Sequence, residues 1–228
     1  MSSLSIGIIG LPNVGKSTLF NALLKRQTAL VANYPFATIE PNIGIVDVPD
    51  YRLDELCKIV VNDYGRGFKD REIPEKVIPA VVKFYDIAGL VKGASKGEGL
   101  GNAFLGHIRE VNAIAHVIRV FEDENVARAG SENPENDKEI INTELMLADI
   151  QSLEKTIEKL EKEVRSSKDK EIKLKYETAK KILEGLNNGI FANTLELSEE
   201  ELKSSKDLNL LTLKPQIYVL NVDEKYLS

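Results

Sequence analysis

With 228 residues, 43% of them hydrophobic, the chain can bury a core as one large domain or as one domain with an insertion. Its net charge of −6 excludes bulk electrostatic attachment to nucleic acid or an anionic membrane, so direct DNA binding is not expected. One cysteine, Cys57, excludes an internal disulfide framework, and no apolar run reaches the ~18 residues of a membrane span, so a cytoplasmic protein is expected.

Leu4 to Ile9 reads as a buried strand. It runs into Gly10-Leu11-Pro12-Asn13-Val14-Gly15-Lys16-Ser17, the P-loop spacing G-x-x-x-x-G-K-[ST], and Thr18 to Leu24 reads as the start of a helix. Two glycines let the backbone turn its N–H groups inward, so that the segment from Asn13 through Val14, Gly15, Lys16 and Ser17 to Thr18 forms a nest for phosphate oxygens. The dipole of the following helix adds to that field. Lys16 supplies a point charge to the β- and γ-phosphates, and the Ser17 hydroxyl is sized to ligate Mg²⁺. The stretch is expected to bind a nucleoside triphosphate.

Residues 27–42 read as a loop broken by Pro35 and Pro41. Thr38 within it is placed to close over the γ-phosphate and complete the Mg²⁺ shell. Ile43 to Val48 alternates like a half-buried strand, Tyr51 to Val61 like a short amphipathic helix, and residues 62–79 read as a loop. Ala80 to Tyr85 is a strand ending at Asp86, which opens Asp86-Ile87-Ala88-Gly89. An aspartate at that strand end can hold Mg²⁺ through a water, and the Gly89 N–H can sense the γ-phosphate. Leu90 occupies the place where Ras-like enzymes carry the glutamine that orients water, so slow hydrolysis or another positioning group is expected. A helix over 102–111 and a strand over 114–121 follow. His116, in that strand, has two readings: a satisfied half-buried histidine, or a catalytic group. To this point the β/α alternation predicts a parallel sheet with crossover helices.

The pattern then changes. Met146, Ile150, Leu153, Ile157, Leu160 and Val164 are spaced as a heptad seam, and Ile172, Tyr176, Ala179, Leu183 and Leu186 repeat it after a turn at 166–169. Two antiparallel helices zipped along these seams are expected to project from the sheet domain. Gln216 to Leu220 is an apolar strand that rejoins the sheet, and Asn221-Val222-Asp223-Glu224 follows at the edge where ligands bind in open α/β sheets. GTPases carry N-K-x-D there. Val222 and Glu224 in place of the lysine and aspartate remove the usual reason to prefer guanine, and the residues leave the base open.

Taken together, three stretches resemble the Obg-like ATPases of the YchF subfamily. They are the P-loop, the run Asn33-Tyr34-Pro35-Phe36-Ala37-Thr38-Ile39-Glu40-Pro41-Asn42, and the glycine-rich run from Asp86 to Asn102. Asn142-Thr143-Glu144-Leu145, Ala148-Asp149 and Asn221-x-x-Glu224 fit too. The resemblance implies a Ras-like P-loop NTPase domain, a mainly parallel sheet flanked by helices, with an antiparallel coiled-coil insertion. It divides the chain into residues 1–137, the helical insertion 138–206, and 207–228, with the family's C-terminal TGS domain beyond. It implies ATP bound as well as or better than GTP and hydrolysed at a slow intrinsic rate, Mg²⁺ on Ser17 and Thr38, and the adenine near Asn221, Val222 and Glu224. It also implies a cytoplasmic, ribosome-associated switch. Asn13 matches the P-loop asparagine that holds K⁺ in some related GTPases. Members often carry a histidine thought to help hydrolysis where Arg128 stands here; Arg128 reads either as a charge stabiliser in cis or as a solvated loop residue. The rival readings are a guanine-specific translation GTPase and a nucleotide-gated scaffold with negligible turnover.

Overall fold

The structure, a computed structural model, describes residues 4–25, 41–64, 76–87, 100–128, 130, 133–167 and 169–226. Its strands are β1 (Leu4–Ile9), β2 (Asn42–Asp47), β3 (Val81–Asp86), β4 (Ala113–Arg119) and β5 (Gln216–Asn221). They form one sheet in the order β2-β3-β1-β4-β5. β1 pairs in parallel with β3 and β4, and β4 with β5, whereas β2 runs antiparallel along β3. The sheet is therefore mainly parallel, with one edge strand reversed. β4 is an almost continuous buried run, as a strand covered on both faces must be; β2 leaves Ile43 and Ile45 exposed, which an antiparallel edge tolerates.

Six α-helices accompany the sheet among the described residues: α1 (Lys16–Lys25), α2 (Tyr51–Tyr64), α3 (Leu100–Glu110), α4 (Pro134–Ser166), α5 (Lys170–Asn187) and α6 (Glu199–Ser205). α2 continues three residues past the expected end, because no glycine or proline interrupts it before Gly65. β4 stops two residues short of the expected Phe121, since the Val120 and Phe121 N–H groups both turn to the Asn221 carbonyl, at 2.8 and 3.0 Å. α4 begins at Pro134, four residues before the expected 138. The Asn133 side chain accepts from the Glu135 N–H, and a proline sits at the first helical position, where its missing N–H costs nothing. A seam read from Met146 onward passes over that start signal.

Two cores result. Ile8, Ile9, Phe20, Phe104, Leu105, Ile108, Ile114 and Val117 build the first around the sheet, and Ile141, Leu145 and Ala148 of α4 belong to it. The second gathers Leu153 and Leu160 of α4 with Ala179, Ile182 and Leu186 of α5. Most of the expected seam lies there, but Ala192, Leu208 and Leu210 close it from a third side, so the helix pair is packed by more than its own two stripes. Ser198 and Glu201 form a capping box on α6, and Lys181 of α5 reaches Glu201 at 3.0 Å. Among the described residues no helix is long and apolar enough to cross a membrane.

Candidate functional site

β1, the central strand, hands the chain to a tight turn at its carboxyl end. Gly10 has φ 151°, and a Cβ there would stand 2.5 Å from the Val117 carbonyl oxygen of β4. Gly15 has φ 99°, and its Cβ would collide with the Asn221 amide. Both positions therefore demand glycine. Lys16 opens α1 and is 8% exposed; its Nζ donates to the Leu11 carbonyl at 2.8 Å. Burial holds its ammonium below the ordinary lysine value, and the Asp86 carboxylate partly opposes that. Ser17 Oγ donates to Asp86 Oδ2 at 2.7 Å, joining the start of α1 to the end of β3.

The far end of the chain returns to the same place. Asn221 Nδ2, at the end of β5, donates to the Val14 carbonyl at 3.0 Å. The result is a cavity of about 640 Å³. Asn13, Gly15, Lys16, Ser17 and Thr18 line it from the P-loop, and Asn221, Val222, Asp223 and Glu224 from the segment after β5. Val14 lies beneath the loop, 1% exposed, and contributes through its backbone. Asn13, at φ 62°, donates its side-chain amide to the Ala127 carbonyl at 3.1 Å. Thr38, Gly89 and Leu90 lie outside the described residues.

A third wall comes from residues that the sequence reading passes over: Phe121, Glu122, Asp123 and Val126, in the loop after β4. Beneath that loop sits Arg119, the last residue of β4 and 3% exposed. A lone cation closing an apolar strand was the available signal, because a buried guanidinium must find partners. Four carboxylates, Glu122, Asp123, Asp223 and Glu224, border the cavity, and Lys16 is the cation among the described lining residues. A polyphosphate is thus best held at the P-loop side, away from the loops after β4 and β5.

His116 and Arg128 are not among the described lining residues. His116 is 1% exposed, with Nδ1 3.1 Å from Gln216 Nε2, and Gln216 in turn stands 3.5 Å from Asn142 Oδ1 of α4. An amide N–H donating there takes Nδ1 as acceptor, the role of a neutral imidazole whose proton is on Nε2. Arg128 lies 3.6 Å from Asp137 in the first turn of α4.

Burial, with Lys138 and Lys16 adding positive charge, lowers the His116 pKa from 6.5 to about 4. The unfolded chain binds that proton more readily, so the stability contributed by the neutral ring is complete above pH 6.5 and is lost as pH falls towards 4. His116 alone is expected to take about 3 kcal/mol from the unfolding free energy between pH 7.5 and pH 4. Denaturant midpoints across that range, compared with those of His116→Asn, test this. The variant should show the flatter profile, and an equal slope would remove His116 as the cause.

The 50S ribosome-binding GTPase family model matches residues 5–163. The ribosome-binding ATPase YchF of Buchnera aphidicola subsp. Schizaphis graminum is 51% identical over 220 residues, 96% of this chain and 57% of that protein. The ribosome-binding ATPase YchF of Bacillus subtilis is 48% identical over 223 residues, 97% of this chain and 57% of that protein. The solved structure of the Schizosaccharomyces pombe YchF GTPase superposes with a TM-score of 0.74 at 39% identity, covering 99% of this chain and 58% of that one. The chain thus spans a little over half the length of the relatives it matches.

Proposed function

From the premise that the chain belongs to the 50S ribosome-binding GTPase family, in its YchF branch, we propose that it binds ATP in this cavity and hydrolyses the β–γ bond slowly, with Mg²⁺. The nucleotide state would then control association with the ribosome, the partner named for its relatives, in the cytoplasm. The carrying observation is the Asn221–Val14 hydrogen bond, which brings Val222 and Glu224 into the cavity that Lys16 and Ser17 line.

The donor set fits a hard divalent cation, since the exposed Ser17 hydroxyl and the Asp86 carboxylate meet at 2.7 Å and offer oxygen alone. Ser17 would ligate the ion directly, Asp86 through a water, and Thr38 from the stretch of sequence before β2; when bound, the ion neutralises charge on the β- and γ-oxygens. Lys16 would leave the Leu11 carbonyl for the phosphates, whose charge opposes the effect of burial on its ammonium. The N–H groups from Asn13 to Thr18 hold the remaining oxygens, and Gly89 reports the γ-phosphate. If a K⁺ ion accompanies the nucleotide, it would meet the Asn13 amide oxygen. Near the base, Val222 gives apolar cover, and Glu224 carries its carboxylate one methylene further than the aspartate of a guanine site; adenine lacks the N1–H donor that such an aspartate binds.

In the same reading residues 138–206 act as a helical insertion between 1–137 and 207–228, rooted on the sheet through Ile141, Leu145 and Ala148 and offering its outer part to a partner. The second core, from Leu153 outward, supports that division.

Titration calorimetry with non-hydrolysable ATP and GTP analogues, each with Mg²⁺, tests the reading. The ATP analogue is expected to bind more tightly. Tighter binding of the GTP analogue would mean that Glu224 does the work of an aspartate. Tight binding without turnover of ATP would make the protein a nucleotide-gated scaffold.

A further inference from the structure

We propose that Arg119 is a positioning residue for nucleotide binding: it holds the 121–127 loop in the shape that makes it a wall of the cavity beside the P-loop. The proposal rests on the nucleotide reading above. Arg119 is 3% exposed, and among the described residues its guanidinium binds backbone carbonyls rather than a carboxylate. Nε donates to Phe121 O at 3.3 Å, Nη2 to Asp123 O at 3.1 Å, and Nη1 to Val126 O and Ala127 O at 3.1 and 3.5 Å. The Phe121 ring lies under the guanidinium, 4.3 Å from its carbon to the ring centroid.

A buried cation is costly unless it is paired, and among the described residues this one depends on the loop that wraps it. The dependence is mutual. Outside regular structure, four carbonyls of one short loop converge on a single side chain, and the planar fork of an arginine fixes their relative directions. With those carbonyls turned towards Arg119, residues Phe121, Asp123 and Val126 line the cavity. The Ala127 carbonyl also accepts from Asn13 of the P-loop, so the loop that Arg119 shapes is keyed to the phosphate-binding turn. Arg119 does not itself line the cavity among the described residues and acts through the wall it holds.

The role separates two parts of one ligand. The phosphates meet the P-loop, whereas the nucleoside must meet the walls after β4 and β5. Arg119→Lys keeps the charge without the fork, and Arg119→Gln keeps two donors without the charge. Each is expected to raise the dissociation constant and KM for ATP about tenfold or more, with kcat at saturation held within about twofold. Affinity for inorganic triphosphate with Mg²⁺, which offers the P-loop its phosphates and nothing to the wall, should fall far less than that for ATP. Parallel loss of both ligands, failure of both variants to fold, or unchanged ATP affinity would overturn the role, the first two in favour of a purely structural one. A wild-type protein that binds neither ligand would overturn the nucleotide reading and this role together. That outcome is distinct from a wild type that binds both and variants that change neither.

Discussion

Replacing Lys16 with alanine is expected to weaken the binding of a nucleoside triphosphate by at least about a hundredfold and to abolish turnover, since charge-assisted hydrogen bonds contribute roughly 1.5–3 kcal/mol each and this side chain is placed to make two. No other cation among the described lining residues can take its place, and the carboxylates bordering the cavity repel phosphate. The fold should not suffer. Lys16 is buried at 8% exposure, burial lowers its pKa, and its bond is to one carbonyl, that of Leu11. Deleting it removes the cost of burying an ammonium and leaves a single acceptor unpaired, so the melting temperature should stay within a few degrees. Calorimetric titration alongside thermal unfolding separates the two effects. Lys16→Arg should fail almost as badly, because a planar fork does not fit a buried point-charge site. An alanine variant with wild-type affinity would mean that the phosphates are held elsewhere.

The largest effect on stability is expected at Asp149, in α4. It is 0% exposed and accepts from the Leu211 N–H at 3.0 Å, the Thr212 N–H at 2.8 Å and the Thr212 hydroxyl at 2.7 Å. Leu211 and Thr212 are themselves fully buried. Asp149→Ala leaves three donors without an acceptor in a site too packed for easy repair, costing about 3–5 kcal/mol. For a chain of this size that lowers the melting temperature by roughly 10 °C. Arg109 of α3, 3.9 Å away, also loses its counter-charge, and Lys214, which caps the Arg109 and Val111 carbonyls, loses the carboxylate that offsets Arg109. Asp149→Asn keeps the shape and one acceptor oxygen and should lie between the two. Burial raises the Asp149 carboxyl above its ordinary value more than its hydrogen bonds lower it. The folded state then holds that proton more tightly than the unfolded chain, so this group gains stability on acidification, opposite in sign to His116. Denaturant unfolding of both variants at neutral pH checks the magnitude, and an alanine variant within 1 kcal/mol of wild type would contradict the geometry.

The parts legible in the sequence were those whose chemistry is contiguous. The P-loop places strand, turn, cation and hydroxyl within 14 residues, from Leu4 to Ser17, and the segment after β5 carries Asn221 to Glu224 in one stretch, so spacing alone located two walls of the cavity. The mainly parallel sheet followed from strands separated by helices. What escaped depends on partners distant in sequence. Asp149 meets Leu211 and Thr212 across more than 60 residues, and local periodicity does not register such a bond. Ala192, Leu208 and Leu210 lie outside both heptad seams, so the third side of the second core had no signature of its own. Arg119 looked like any cation at a strand end, because carbonyl oxygens, which every residue has, are what it binds. The groups that bear on the two readings of His116, Gln216 beside its ring and Asn142 beside Gln216, are likewise distant in sequence. Thr38 and Gly89 lie outside the described residues.

The Asn221–Val14 bond also sets an order of assembly. Its two residues leave the ribosome 207 positions apart. At about 5–20 residues per second, roughly ten to forty seconds separate them. Helical turns and hairpins form in microseconds, so α4, α5 and α6 can fold within that interval, while Gly10–Ser17 has been exposed as a turn lacking the wall it shares with β5. The wall that Asn221 closes over the P-loop therefore cannot form before β5 has been synthesised. Until Asn221 is made and seated, a nascent chain presents the Gly10–Ser17 turn without the wall that the segment after β5 gives the cavity.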